Sequence, residues 1–492
     1  LRGGSVMPSY KHLIIDEALH LEDEATKQAG YSISAAELNA LLGRVLSRHE
    51  ILGLQGALGS AFSALTHVSS AHEKAEELSE KLATAEEAIG IAAQRISDVF
   101  LTLGEVIQRY DRDASGYERR VRIIDVMRVD PMWSQVEIEW DQAAEPISII
   151  IDALRTFLHV VESAQEDELP NKGELLTELQ VLGEELGLIL ERGYEALSSG
   201  GDELICWLAR HQTTGAISVN AAPLHVSDIL QRELYERLES LTLTSATLTT
   251  ERSFSFVRER LGLHDVDELK VPSPFDYVTS TLLGIVNDVP EPGQQGHQKQ
   301  LQTALLHVCQ ASGGRAMVLF TSHNALQTAY HAIKRPLERG GILVLGQRVD
   351  GSPRQLVERL RERPQTVLLG TTSFWEGVDI VGDALSLLVI TRLPFPVPSD
   401  PIFAARSELF EDPFTSYAVP QAILRFVQGF GRLIRSRNDR GACVVLDRRI
   451  ISRRYGQAFI DSLPECSMET GGSATIAVAI ERWLNPVDVT RH

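Results

Sequence analysis

The chain has 492 residues, of which 43% are hydrophobic and 23% charged, and its formal charge is −20. This excludes a wholly disordered chain and a collagen-like one, and the length suits roughly two to four domains. Taken as uniform, such a charge argues against a nucleic-acid partner. The acid is not uniform, however: residues 1–240 hold 20 basic and 41 acidic side chains, 241–492 hold 27 and 26, and 421–460 hold 9 and 2. The whole-chain charge therefore describes the first half and says nothing against a basic binding face elsewhere.

Residues 11–15 read as a short buried strand closed by Asp16-Glu17-Ala18. The stretch 33–200 reads as mostly helical: it is rich in Ala, Leu and Glu, and its apolar residues recur at three- and four-residue spacing in 71–108 and 174–197. Two alternating stretches, 121–129 and 135–140, flank Pro131-Met132 and predict a β-hairpin. The acidic runs at 73–80 and 162–168 read as solvated helix faces or loops. From about 205 short apolar strands alternate with helices. Strands are expected at 216–219, 241–244, 282–286, 316–320, 342–345, 366–369, 385–390 and 442–446. Helices are expected at 228–237, 300–312, 324–335, 354–361 and 421–434. Such alternation predicts an α/β fold with a largely parallel sheet.

Cys206, Cys309, Cys443 and Cys466 are dispersed without metal-ligand spacing, which suits free thiols in a reducing, cytoplasmic setting. Apolar runs are too short for a membrane span. There are eight lysines and none follows a glycine, so a G-x-x-x-x-G-K-[ST] phosphate loop does not occur in this sequence. The chain opens on Leu1 with a strand pattern almost at once, and the expectation is a fragment that starts inside a domain.

Four constellations carry possible chemistry. Asp16 and Glu17 follow an apolar strand, at the end where α/β sheets bind ligands. An Asp there suits Mg²⁺ held through water and a Glu suits an attacking water, although acids also suit a helix N-terminus. Thr244-Ser245-Ala246-Thr247 offers hydroxyls that can bridge two elements, or simply cap a turn. Gly370-Thr371-Thr372-Ser373-Phe374-Trp375-Glu376-Gly377-Val378-Asp379, followed by Gly382-Asp383, clusters hydroxyls and acids beyond a strand; Phe374 and Trp375 read as core. Gln428-Gly429-Phe430-Gly431-Arg432-Leu433-Ile434-Arg435 sits in the predicted helix 421–434, which would set Arg432 and Arg435 on one face, suited to a polyphosphate or to surface ion pairs.

In their order and spacing these stretches resemble motifs II, III, V and VI of superfamily 2 helicases, and most closely the DinG/XPD group of 5′→3′ DNA helicases. Ala222-Pro223-Leu224, Ser273-Pro274-Phe275, Leu319-Phe320-Thr321-Ser322 and Arg392-Leu393-Pro394-Phe395-Pro396 also look like that group. The resemblance runs from about residue 3 to 465, with 33–200 matching only in position and helical character.

The resemblance implies two RecA-like domains of the P-loop NTPase type with parallel sheets, the first incomplete, plus a mainly helical arch. The expected division is 1–32 and 205–268 for the first helicase domain, 33–204 for the arch and 269–492 for the second helicase domain. By the same resemblance Asp16 holds the Mg²⁺ of Mg-ATP and Glu17 activates water. Ser245, Thr247 and Glu376 couple hydrolysis to movement, and Gly377 and Asp379 line the nucleotide cleft. Gln428, Arg432 and Arg435 reach the γ-phosphate. The implied partners are single-stranded DNA and DNA forks or overhangs, engaged by a monomer without a membrane. Motif I, motif Ia and any iron–sulfur cysteines are expected upstream of Leu1, so this sequence by itself is expected to hydrolyse little ATP. Leu19 stands where the family's motif II has histidine, with His20 next. Either coupling is weakened or His20 partly substitutes. The rival reading is a non-hydrolysing helicase remnant that binds DNA or protein.

Overall fold

A computed structural model describes residues 10–49, 53–68, 74–111, 118–199, 201, 203–375 and 385–486. The chain divides into two compact units. One comprises Asp23–Ile229 with Pro398–Arg406; the other comprises, among the described residues, 10–22, Leu230–Val397 and 407–486.

The first unit is mainly helical. Its longest helix, Ala75–Tyr110, buries Leu78, Leu82, Ala85, Ile96, Leu103 and Ile107 on one stripe, the period that segregates an apolar face. Glu76, Glu77 and Glu80 on this helix are exposed, as are Glu162, Glu166 and Asp167. Helices Pro131–Ser163 and Lys172–Tyr194 pack alongside. A four-stranded antiparallel sheet completes the unit, in the order Tyr31–Ser34, Ile217–Pro223, Leu204–His211, Glu118–Arg122. Arg406, 2% exposed, is held by the carbonyls of Pro223 and Leu224 and the hydroxyl of Thr26, so its buried donors are bonded.

The hairpin expected over 121–140 does not form. Pro131 begins a 33-residue helix, with Asp130 accepting the Met132 N–H at 2.9 Å as its N-cap. Val136 and Trp140 are buried at i and i+4 while Ile138 is 51% exposed, so the apparent alternation is a sampling of a helical stripe. Only Glu118–Arg122 is extended, paired with Leu204–His211, a strand absent from the sequence reading. Trp140 lies so close to the neighbouring helix that a Cβ at Gly193 would sit 1.8 Å from its ring. Gly193→Ala is therefore expected to destabilise this unit by about 1–3 kcal/mol. Urea unfolding checks it; an unchanged midpoint would mean that the Trp140 ring re-seats freely.

The second unit is built on a seven-stranded, wholly parallel sheet. Its order is Leu343–Gly346, Thr366–Gly370, Ala316–Leu319, Leu387–Ile390, Gly441–Val445, Thr281–Val286, Ser467–Gly471. The central strands are buried along their full length, which is why they read as unbroken apolar runs. Within Ala316–Leu319 the side chains alternate: Ala316 and Val318 join the core on one face, Met317 and Leu319 the core on the other. Helices His297–Ala311, His323–Arg339 and Ser473–Leu484 cover the first face; Pro353–Glu362 and Val419–Phe430 cover the second. A separate parallel pair, His12–Ile15 with Ser240–Leu243, belongs to the same unit. This is the expected α/β architecture with parallel sheets, in a chain that also carries a mainly helical unit.

Candidate functional site

The strands His12–Ile15 and Ser240–Leu243 run parallel and in register, so the residues that follow each emerge side by side. Thr244 N–H bonds the Ile15 carbonyl at 2.9 Å, and Ala18 N–H bonds the Thr244 carbonyl at 3.0 Å. Glu17 takes the left-handed conformation, φ 52°, between these bonds. Such a backbone is costly for a non-glycine residue and needs surrounding contacts to persist. It turns the exposed carboxylate towards Ser245, whose hydroxyl donates to Glu17 Oε2 at 2.9 Å across 228 positions of chain. Asp16 is also exposed, and its Oδ1 accepts the Glu17 N–H at 2.9 Å.

Thr247 packs inward at 7% exposure. Its N–H donates to Ser245 Oγ at 3.3 Å, while its own hydroxyl is buried without a hydrogen-bond partner. Gln428 lies on helix Val419–Phe430, and its Nε2 is 3.5 Å from His20 Nε2, 408 positions away. Its Oε1 is buried and unpartnered. Buried polar atoms left unpaired carry a cost of about 1–3 kcal/mol, and both of these lie on motifs whose other members meet across the chain. His20 thus stands beside Gln428, one residue after the Leu19 that fills the histidine's usual place.

The helix expected to continue to residue 434 ends at Phe430. Gly429 and Gly431 weaken it, and Leu433 and Ile434 turn into the core at 3% and 2% exposure. Asp439 then captures the next stretch, accepting the N–H groups of Arg435 at 2.7 Å and Ser436 at 2.8 Å. Burial alone pushes the Asp439 carboxyl up, but these bonds and the Ser436 hydroxyl hold it below the usual range. Arg432 and Arg435 therefore do not share a helix face: Arg432 lies on the turn, part-buried, with its Nε donating to the Trp375 carbonyl at 3.3 Å, and Arg435 lies beyond it, exposed.

Phe374 and Trp375 are core residues, at 0% and 4% exposure. The Trp375 ring sits against Gly429, where a Cβ would come within 2.8 Å of it, and its Nε1 donates to the Phe320 carbonyl at 3.3 Å. Beside them Gln347 accepts from Thr371 N at 2.8 Å and donates to Ser373 Oγ at 3.0 Å. His323, 3.1 Å from the Thr371 hydroxyl, has its pKa lowered by burial and by nearby Arg348. Thr371 and Ser373 belong to the hydroxyl cluster read from sequence, whereas Gln347 and His323 were not anticipated, because the network is spread over three strand ends. Glu376, Gly377 and Asp379, with Gly382 and Asp383, lie outside the described residues. Among the described residues no group of three or more His, Cys, Asp or Glu side chains is arranged to hold a metal.

Residues 305–466 match the family model of a helicase C-terminal domain. The chain is 30% identical over 478 residues to the 3′-5′ exonuclease DinG of Bacillus subtilis, an alignment covering 94% of this chain and 50% of that protein. It is 35% identical over 256 residues to the ATP-dependent DNA helicase YoaA of Escherichia coli (51% and 40% covered). Against the ATP-dependent helicase DinG of Mycobacterium tuberculosis the figures are 36% over 299 residues, 58% and 44%. The chain thus spans about half or less of the length of these relatives. Among solved structures, an apo XPD structure matches with a TM-score of 0.50 at 14% identity, covering 93% of this chain and 76% of that one, a likeness of fold. Residues 305–466 thus match a helicase C-terminal domain, and the parallel-sheet fold is similar to that of XPD. More narrowly, the chain is DinG/XPD-like.

Proposed function

We propose that this chain is the motor part of an ATP-dependent 5′→3′ DNA helicase or translocase that works as a cytoplasmic monomer on single-stranded DNA, forks and overhangs. The observation that carries the reading is the convergence of three motifs far apart in sequence: Glu17 with Ser245, and His20 with Gln428.

In this reading 1–32 and 205–268 form one helicase domain, 33–204 the arch and 269–492 the second. Asp16, an exposed hard oxygen donor, suits Mg²⁺ held through water; the ion supplies charge neutralisation at the phosphate oxygens. Glu17 takes the proton of the attacking water, and the Ser245 hydroxyl fixes which carboxylate oxygen remains for it. Arg432 and Arg435 meet the γ-phosphate, with Gln428 beside them, so hydrolysis waits on their arrival. Ser245, Thr247 and Glu376 pass the state of the nucleotide to the DNA path, and Gly377 and Asp379 complete the nucleotide cleft. Strand binding is backbone-directed and weakens with salt, because translocation cannot depend on base sequence.

The test is strand displacement and strand-stimulated ATP hydrolysis by the helicase that carries these residues. Unwinding of 5′-tailed but not 3′-tailed duplex is expected; a preference for 3′ tails would reverse the polarity, and absence of ATP hydrolysis would leave only a binding module. His20→Ala is expected to lower strand-stimulated hydrolysis about five- to ten-fold, the worth of one hydrogen bond, with His20→Gln largely restoring it. Full activity in His20→Ala would remove this residue from coupling.

A further inference from the structure

One feature of the second unit has no part in the site above. Strands Leu387–Ile390 and Gly441–Val445 are parallel neighbours, so the segments after them, 391–396 and 446–455, leave the sheet side by side. Asp447, fully buried, ties them together: it accepts the Leu393 N–H at 2.9 Å and binds Arg449 at 2.6 Å. These two segments carry Arg392, Arg448, Arg449, Arg453 and Arg454 against the single acid Asp447.

Asp447 holds Arg449 and Glu291 holds Arg453. Among the described residues the side chains of Arg392, Arg448 and Arg454 make no hydrogen bond or ion pair that holds them. Arg392 is further disfavoured as a cation by burial and by the neighbouring Arg449, an effect that the attraction of Asp447 only partly offsets.

Beside these arginines stands a ring cluster. Phe395 lies under the Arg449 guanidinium at 5.6 Å and is stacked by Phe414 at 5.5 Å with an interplanar angle of 23°. Tyr455 meets both rings edge-on, at 5.5 Å from Phe395 and 5.1 Å from Phe414. Phe414 is nonetheless 44% exposed. An apolar ring braced from behind and open in front, packed on the two segments that carry the exposed Arg392, Arg448 and Arg454, has the two elements that hold a single strand: a flat surface for a base and cations for the flanking phosphates.

We propose that Phe414, braced by Phe395 and Tyr455, is a base-stacking platform for single-stranded nucleic acid, with Arg392, Arg448 and Arg454 on the adjoining phosphates. This deepens the helicase reading and rests on it. A free nucleotide offers the same base and phosphates, but the proposed function gives that ligand to Asp16, Glu17 and Arg432.

The test measures fluorescence anisotropy of the 492-residue chain on a short oligodeoxythymidylate and on an abasic strand of equal length. The unsubstituted chain is expected to bind the base-bearing strand about ten-fold more tightly than the abasic one. Phe414→Ala and Phe414→Leu are expected to erase that difference while keeping abasic binding, and Phe414→Trp to retain it. Equal binding of the two strands by the unsubstituted chain would overturn the platform and leave the helicase reading standing; binding of neither would sink both. Strand discrimination left intact in Phe414→Ala would likewise overturn the proposal.

Discussion

Replacing Arg432 by alanine is expected to lower strand-stimulated ATP hydrolysis by about 10³-fold or more, while affinity for single-stranded DNA stays within about two-fold. The expectation follows from how the residue is held. Its Nε is fixed by the Trp375 carbonyl at 3.3 Å, and Trp375 is itself fixed by Gly429 and the Phe320 carbonyl. A guanidinium anchored at one edge is pre-oriented to present its planar fork to a phosphate, which a lysine cannot reproduce. Arg432→Lys should therefore fail nearly as badly. Arg437→Ala serves as the control: Arg437 is exposed on the following turn and is expected to change turnover less than about two-fold. Turnover within that margin for Arg432→Ala as well would take Arg432 out of the γ-phosphate role.

Glu17→Gln should be comparably severe, lowering hydrolysis by about 10²–10⁴-fold with ATP binding retained, because it removes a proton acceptor and almost nothing else. The amide keeps an oxygen for the Ser245 hydroxyl, now 2.9 Å from Oε2, and the backbone bonds that hold residue 17 at φ 52° do not involve its side chain. The melting temperature should consequently be unchanged, which separates loss of chemistry from loss of fold. A Glu17→Gln protein that still turns over at near the original rate would assign the proton acceptor to another residue. Ser245→Ala probes the neighbouring function: hydrolysis should persist at a reduced rate but become less dependent on DNA, as judged by the ratio of rates with and without strand.

The central strands of the second unit were readable because each is buried on both faces, and burial of that kind writes itself as a continuous apolar run. Thr281–Val286 and Gly441–Val445 are examples. The half-exposed edge strand Ser467–Gly471 has no such run and was missed. Strand Leu204–His211 was not readable either, since partly exposed residues, Trp207 on one face and Arg210 on the other, break the apolar run, and its partners lie in separate segments. The hairpin error at 135–140 has a related cause: three apolar residues at alternate positions fit two periods equally well, and the capping pair Asp130-Pro131 was the stronger signal. The helix through Arg432 failed for the opposite reason. Its local pattern was good, but burial of Leu433 and Ile434 and the grip of Asp439 on the next N–H groups ended it early.

Residue identity and order alone supplied the chemical inventory: two acids after an apolar strand, hydroxyls after a second, and a Gln and two arginines near a glycine pair. These are local properties, carried by side-chain chemistry and by strand ends that any parallel sheet exposes at the same edge. Contacts across 228 and 408 positions are not local, and only the folded chain could decide that Ser245 meets Glu17 and that His20, rather than Leu19, stands against Gln428. The same holds for the exposed ring of Phe414, which is apolar in sequence like any core residue. What distinguishes it is that the sheet brings Phe395 and Tyr455 behind it and leaves its front open, a matter of packing that no spacing of residues encodes.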